Sequence, residues 1–493
     1  MKVTCRGQTV MIIIVIMQTS APLYLDPSLT TALADTVCQQ ELLHTLVTAL
    51  GSPLNVVLPD QAVANAQQFY GLLDRLRLRG EVYFAHKANR STAFLRRLAA
   101  SKTRIDIASI GELQHALGCG FHPERIMATG PKTPEFLWLA ARAGAIVNVD
   151  SLDELSTLAK LPAYLGPTRV LLRFSSFTAS GTVAARTSRF GMAETDLGAC
   201  LDVADAFRDR LDIRGVAYHL DTVGVTEKAA ALDGCIRMLL EIQRRSHNAD
   251  VIDIGGGFGV NYLEDSQQWD NWTSELTQAV LGHRDPITWR GHGYGLRAEQ
   301  GRLKGALSLY PAHRPVAGPR YAEELLVQRS PSLGQRYSDI LLETLTQVYM
   351  EPGRALVDQA GLVLTRVLEV RQTAGETLIR LDLNHSDVSL EEHGVVMDPM
   401  VIPRGGEQHG PGAGYLIGNL CLEADLISRR KIYFRSMPRP GDLLAFVNTA
   451  GYFMDFSADH ALHQPIARTV ALTGDRWTLD DQYWPMNRET EVA

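Results

Sequence analysis

From residue 80 onward, short apolar runs rich in β-branched and aromatic residues alternate with longer stretches of helical periodicity. That alternation restricts the chain to folds in which βα units build a parallel sheet. Eight such runs occur within roughly 270 residues, at 82–85, 104–107, 126–128, 146–149, 170–174, 215–219, 251–254 and 347–350. Eight units over this length match a (β/α)8 TIM-type barrel, typically about 250 residues and tolerant of insertions. A doubly wound sheet is the alternative.

More than 90 residues separate the seventh run from the eighth, among them Trp269, Trp272 and Trp289. A bare loop of that length does not fit a compact domain, so helices are expected within it, at 273–281 and 321–327. After residue 360 the pattern changes to strand-like runs at 363–370, 377–383, 432–434 and 443–447, split by Gly and Pro turns, which reads as a mostly β domain. The expected organisation is an N-terminal segment (1–50) that contributes to the β domain or is partly disordered. It is followed by a barrel (51–355) with an insertion at about 262–340, and a C-terminal β domain (356–493).

Of the 493 residues, 45% are hydrophobic and 21% charged, enough to bury sizeable cores, and the net charge of -7 leaves no basic footprint for a nucleic acid. The six cysteines, Cys5, Cys38, Cys119, Cys200, Cys235 and Cys421, lack CxxC spacing, so neither a metal site nor a disulfide framework is expected and a cytoplasmic location fits. The apolar run at 10–17 follows Lys2 and Arg6 like a short signal core, yet no A-x-A-like site follows it. It is too short to span a bilayer, and reads as a buried strand or as residues ahead of a later start at Met11 or Met17.

Chemistry in a barrel sits where the strands end. The first run closes on His86, Lys87 and Asn89, the second on Asp106, Ser109 and Glu112, the fifth on Arg173 and the sixth on His219. The seventh closes on Gly255, Gly256 and Gly257, and the eighth on Glu351 and Arg354. Three glycines after the seventh strand with an arginine after the eighth point to a bound phosphate, since backbone N–H groups can then approach an anion closely. Lys87 stands among small and apolar neighbours, where desolvation would lower its pKa and free the amine for a Schiff base. Singly, each residue also has a plain reading: a solvated lysine, a satisfied core histidine, a helix-capping pair in Asp106 and Glu112, a flexible glycine turn.

Together they resemble the fold type III pyridoxal-phosphate (PLP) enzymes, and within them the diaminopimelate, ornithine and arginine decarboxylase group with its alanine-racemase-type barrel. Phe84-Ala85-His86-Lys87-Ala88-Asn89 is similar to the family's Y-A-x-K-A-N, Asp106 to Glu112 to D-x-A-S-x-x-E, and Ser188-Arg189-Phe190-Gly191 to S-K-F-G. His219-Leu220-Asp221-Thr222 resembles H-x-G-S with an aspartate at the glycine position, and Glu351-Pro352-Gly353-Arg354 matches E-P-G-R. Further on, Gly418 to Asp425 is similar to G-P-x-C-x-x-x-D, and Gly441-Asp442 with Ala450-Gly451-Tyr452 to G-D and G-A-Y.

The resemblance implies PLP as cofactor, with Lys87 forming the internal aldimine, His219 stacking on the ring and Glu351 on the pyridine nitrogen. It places Thr222, Gly255 to Gly257, Arg354 and Tyr452 around the phosphate, and Asp106, Glu112 and Arg173 along the pocket. Cys421, from the neighbouring subunit of a homodimer with shared sites, is implied in protonation of the α-carbon, with Asp425 beside the substrate. An acid on the pyridine nitrogen makes the ring a strong electron sink, which favours decarboxylation over the racemase branch, where an arginine stands there. Amino-acid racemisation or epimerisation, and a non-catalytic PLP-binding relative, are the alternatives. Leu422 occupies the position where basic-amino-acid decarboxylases carry an acid, Glu423 is displaced by one, and no R-P-x-L-Y segment is clear in 384–403. The expected substrate is therefore an amino acid other than diaminopimelate, or a conjugated one. Neither a membrane nor a nucleic acid is an expected partner.

Overall fold

The computed structural model describes residues 2–5, 8–11, 21–177, 188–406 and 409–480. Eight strands form one closed parallel barrel: β1 (Gly80–Ala85), β2 (Arg104–Ile107), β3 (Ile126–Ala128), β4 (Ile146–Val149), β5 (Thr168–Ser175), β6 (Leu211–Ala217), β7 (Val251–Asp253) and β8 (Gln347–Met350). Each pairs in parallel with the next, and β8 pairs with β1 to close the ring. All eight runs expected from sequence are strands of this barrel.

The two-residue period of a strand divides its side chains between two environments. Val82, Phe84, Ile105, Ile107, Val147, Val149 and Val348 belong to the large core shared with the surrounding helices. The alternate residues Tyr83, Met127, Ile146, Leu171, Ala217, Val251 and Tyr349 form a separate buried cluster, the floor of the barrel interior.

Between β7 and β8 the expected helices are present: Ser266–Val280, which starts earlier because Asp265 caps it, and Gly318–Leu326. The second packs against helices Pro59–Arg75 and Thr226–Arg244, so it belongs to the outer ring of the barrel. The added material is therefore shorter than 262–340. It consists of the first helix, a hairpin (Leu296–Glu299 with Arg302–Gly305) and the segment running to Ala317. Trp272 anchors it, stacked on Trp269 at 5.8 Å and edge-on to Tyr294 at 5.7 Å.

The second sheet centres on the 13-residue strand Gly361–Thr373, which pairs with Glu376–Leu381, Leu443–Val447 and Leu54–Val57. Leu54–Val57 falls within the span expected to open the barrel. It is instead an inner strand here, flanked on its other side by Arg468–Thr473. Two helices, Thr31–Cys38 and Gln40–Leu50, cover the sheet through Leu33, Val37, Leu43 and Val47. Residues 2–5 pair antiparallel with 8–11, and positions 12–17 of the N-terminal apolar run lie outside the described residues. Among the described residues no helix is long and apolar enough to cross a membrane.

Candidate active site

One pleat above the apolar floor, at the C-terminal ends of the strands, the inward positions become polar: Asp106, Asn148, Arg173 and Asp253, with His219 and Glu351 just beyond β6 and β8. Asp106, Asp253 and Glu351 are all buried, and three neighbouring carboxylates in so dry a place cannot all carry charge. Burial, reinforced by Glu351, pushes Asp106 and Asp253 well above the usual carboxylate range. Burial acts on Glu351 in the same direction, but its interactions with His219, Asp253 and Lys87 hold it at about 2. The anion of the cluster therefore resides on Glu351. One of its oxygens lies 3.4 Å from His219 Nδ1, and the other, Oε1, is buried without a hydrogen-bond partner.

Of these groups, His219 and Glu351 line a cavity of about 750 Å3. Lys87 enters it from the short turn after β1, with Gly256 and Gly257, Arg354 and Tyr452 along the wall. The glycine turn tolerates no side chain: a Cβ on Gly256 would lie 2.6 Å from the Glu351 carbonyl, and one on Gly257 2.7 Å from the Leu220 carbonyl. Arg354 is ringed by Tyr310 (5.5 Å), Tyr452 (5.6 Å) and Phe453 (5.1 Å), and no carboxylate lies within 4 Å of it among the described residues. For Lys87, burial is the largest influence and lowers its pKa. Interactions with Tyr452, Asp106 and Glu351 outweigh it, so the amine sits above its ordinary value, opposite to the expectation from desolvation alone.

A smaller cavity of about 330 Å3 lies on the other side of Lys87, between His86, Glu112, His115 and Asp455. The helix-capping reading holds for Glu112, but its partner is Ser109 and not Asp106. Ser109 Oγ accepts the Glu112 N–H (3.1 Å) while Glu112 accepts the Ala108 N–H (2.6 Å). The other Glu112 oxygen faces His86 Nδ1 at 3.2 Å, and His86 Nε2 lies 2.9 Å from His115 Nδ1.

Asp106, Arg173, Thr222, Gly255, Cys421 and Asp425 are not in the wall of the larger cavity, and Glu112 lines only the smaller one. The Thr222 hydroxyl is turned inward to the Gly224 carbonyl (2.6 Å) and Tyr321 (3.0 Å), so it gives no donor to the cavity. Gly255 donates its N–H to Asp253 (2.8 Å), and Arg173 is bridged to Asp150 (3.1 Å). Asp425 is buried and accepts the Leu420 N–H (2.8 Å) and the His385 N–H (2.9 Å), so its carboxylate shapes the turn that carries Cys421 and is not free for a substrate. Cys421 itself is exposed on the β domain and does not line the cavity of its own chain.

Sequence reasoning missed Asp253, although a count of two from Val251 places it on the inner face. It also missed Tyr310 and Arg314, which the segment after the hairpin brings to the cavity, with Tyr310 donating its hydroxyl to Asp221. Only the three-dimensional path of that segment shows their position.

Residues 61–306 match the family model described as the pyridoxal-dependent decarboxylase, pyridoxal binding domain. Over 460 residues the chain is 30% identical to the uncharacterized protein y4yA of Sinorhizobium fredii, covering 92% of this chain and 94% of that one. The chain belongs to the pyridoxal-dependent decarboxylase family. Diaminopimelate decarboxylase of Methanothermobacter thermautotrophicus is 25% identical, covering 83% of this chain and 84% of its own. The same fold is found in diaminopimelate decarboxylase from Helicobacter pylori, solved with L-lysine, at a TM-score of 0.65 and 18% identity over 88% of this chain and 95% of that one.

The cofactor of such a decarboxylase is pyridoxal 5'-phosphate, and the residues present fit it. The unpartnered Glu351 oxygen offers a buried anion to a protonated ring nitrogen. Arg354, lacking a carboxylate, and the side-chain-free turn at Gly256 and Gly257 offer a cation and the Gly257 backbone N–H to a phosphate. Lys87 offers the amine.

Proposed function

We propose that the protein decarboxylates an amino acid or an amino-acid conjugate, with pyridoxal phosphate carried on Lys87. The observation that carries this reading is Glu351, a buried carboxylate with one oxygen unpartnered beside the cavity that Lys87 enters. Bound above it, the cofactor supplies an electron sink for the carbon from which carbon dioxide leaves.

The chain's own residues supply the rest. Glu351 keeps the facing ring nitrogen protonated, Arg354 and the glycine turn anchor the phosphate end, and the buried surroundings exclude water. After carbon dioxide departs, the α-carbon needs a proton, and in this reading Cys421 of a partner subunit delivers it. The exposure of Cys421, next to exposed Leu422, supports that role, since it does not line its own chain's cavity.

The substrate is an amino acid other than diaminopimelate. Leu422 puts an apolar side chain where an acid would meet a distal amine, and Glu423 faces Arg290 of the added segment at 3.5 Å. The protein should show a violet absorption band that borohydride reduction removes, and Lys87→Ala should lack it. No band after addition of PLP would overturn the reading, and a screen in which diaminopimelate turned over fastest would overturn the substrate assignment.

A further inference from the structure

Lys228 is placed against three ordinary preferences. It lies in the first turn of the helix Thr226–Arg244, where the helix dipole disfavours a cation, and it is fully buried. Among the described residues no carboxylate lies within 4 Å of its Nζ. Burial accordingly lowers its pKa to about 8. An apolar side chain of the same length would satisfy this core at lower cost, so the position calls for a reason.

The contacts of the amine supply one. Its Nζ donates to the Gly256 carbonyl and lies 3.5 Å from the Ile254 carbonyl, with the rings of Phe258 (5.2 Å) and Tyr321 (5.9 Å) packed around it. A trans peptide points its C=O and the following N–H in opposite directions. Pulling the Gly256 carbonyl inward therefore turns the Gly257 N–H outward, on a stretch of backbone that lines the cavity. The Thr222 hydroxyl, held by Gly224 and Tyr321, leaves this side of the cavity one donor short.

We propose that Lys228 is a positioning residue for the cofactor's phosphate, fixing the Gly256–Gly257 peptide with its N–H toward the anion and placing a positive charge beneath it. This rests on the PLP reading above. The residue touches the loop and not the phosphate, so its effect reaches the anion through the peptide plane and through the field of the buried charge.

The test compares two probes that differ only in the phosphate. Apo-protein is titrated with PLP and with pyridoxal, following the lysine-linked absorption band, and the bound phosphate is followed by phosphorus NMR. Lys228→Met should weaken PLP by about 10–100-fold, by analogy with the loss of an outer-shell partner behind a metal ligand. Pyridoxal should weaken far less, and the phosphorus resonance should shift. Equal weakening of both probes, or unchanged PLP affinity, would overturn the proposal. Should the methionine variant not fold, Lys228→Gln, which keeps a donor but no charge, should narrow the same PLP-to-pyridoxal ratio, and an unaltered ratio would overturn it. Failure of the cofactor reading itself would look different, because the unsubstituted protein would then form no band with PLP.

Discussion

Asp387 shows how burial and hydrogen bonding divide a single side chain. One oxygen accepts the Asn384 N–H at 2.8 Å and the other is buried without a partner. Burial, reinforced by Asp425 and Asp459, raises its carboxyl from 3.8 to about 6. A group raised in the folded state contributes stability that is fully present below about pH 4 and is lost as the pH climbs through 6. The two-unit rise corresponds to on the order of 3 kcal/mol. Asp387→Asn should therefore raise the urea midpoint at pH 8 and leave it nearly unchanged at pH 4, and an equal effect at both would refute the assignment. At this scale the sequence was legible where a motif sits on a strand end, as for Lys87, His219 and Glu351. It misled where a motif residue's direction matters: Thr222 and Asp425 stand where expected, but their polar atoms turn into the protein.

Two helices, Ile110–Gly118 and Leu152–Ala159 in the outer ring, begin with the same device, a serine whose hydroxyl accepts the N–H of a glutamate three residues on; the pairs are Ser109 with Glu112 and Ser151 with Glu154. In the first helix the cap also fixes the carboxylate that faces His86, next to Lys87. Ser109→Ala should cost about 1 kcal/mol of stability by urea unfolding. A loss indistinguishable from zero would mean that the cap is not holding this helix. The barrel strands were readable because each lies between a turn and a helix and needs only its own pattern. Leu54–Val57 was not, because its partners begin more than 300 residues later and nothing local marks it as part of another sheet. Gly412–Ile417 was missed because two glycines in six residues dilute the strand pattern.

The whole molecule holds Lys87 and Cys421 on different domains, with Cys421 exposed and away from the cavity of its own chain. If sites are shared between subunits, Lys87→Ala and Cys421→Ala each lack activity alone. Exchanging subunits between the two should restore about a quarter of the native sites, because half the pairs are then mixed and each mixed two-fold dimer has one intact site. Continued inactivity after verified exchange would exclude a shared site. The second sheet has a consequence of its own. Its inner strand Leu54–Val57 emerges early in synthesis, yet its neighbours are Gly361–Thr373 and Arg468–Thr473, and Tyr452, which cages Arg354, lies between those two in the chain. The barrel strands are all made while that sheet is still incomplete. A ribosome must release nearly the entire polypeptide before the cavity has its full wall around Arg354, so cofactor capture belongs to the finished chain and not to the nascent one.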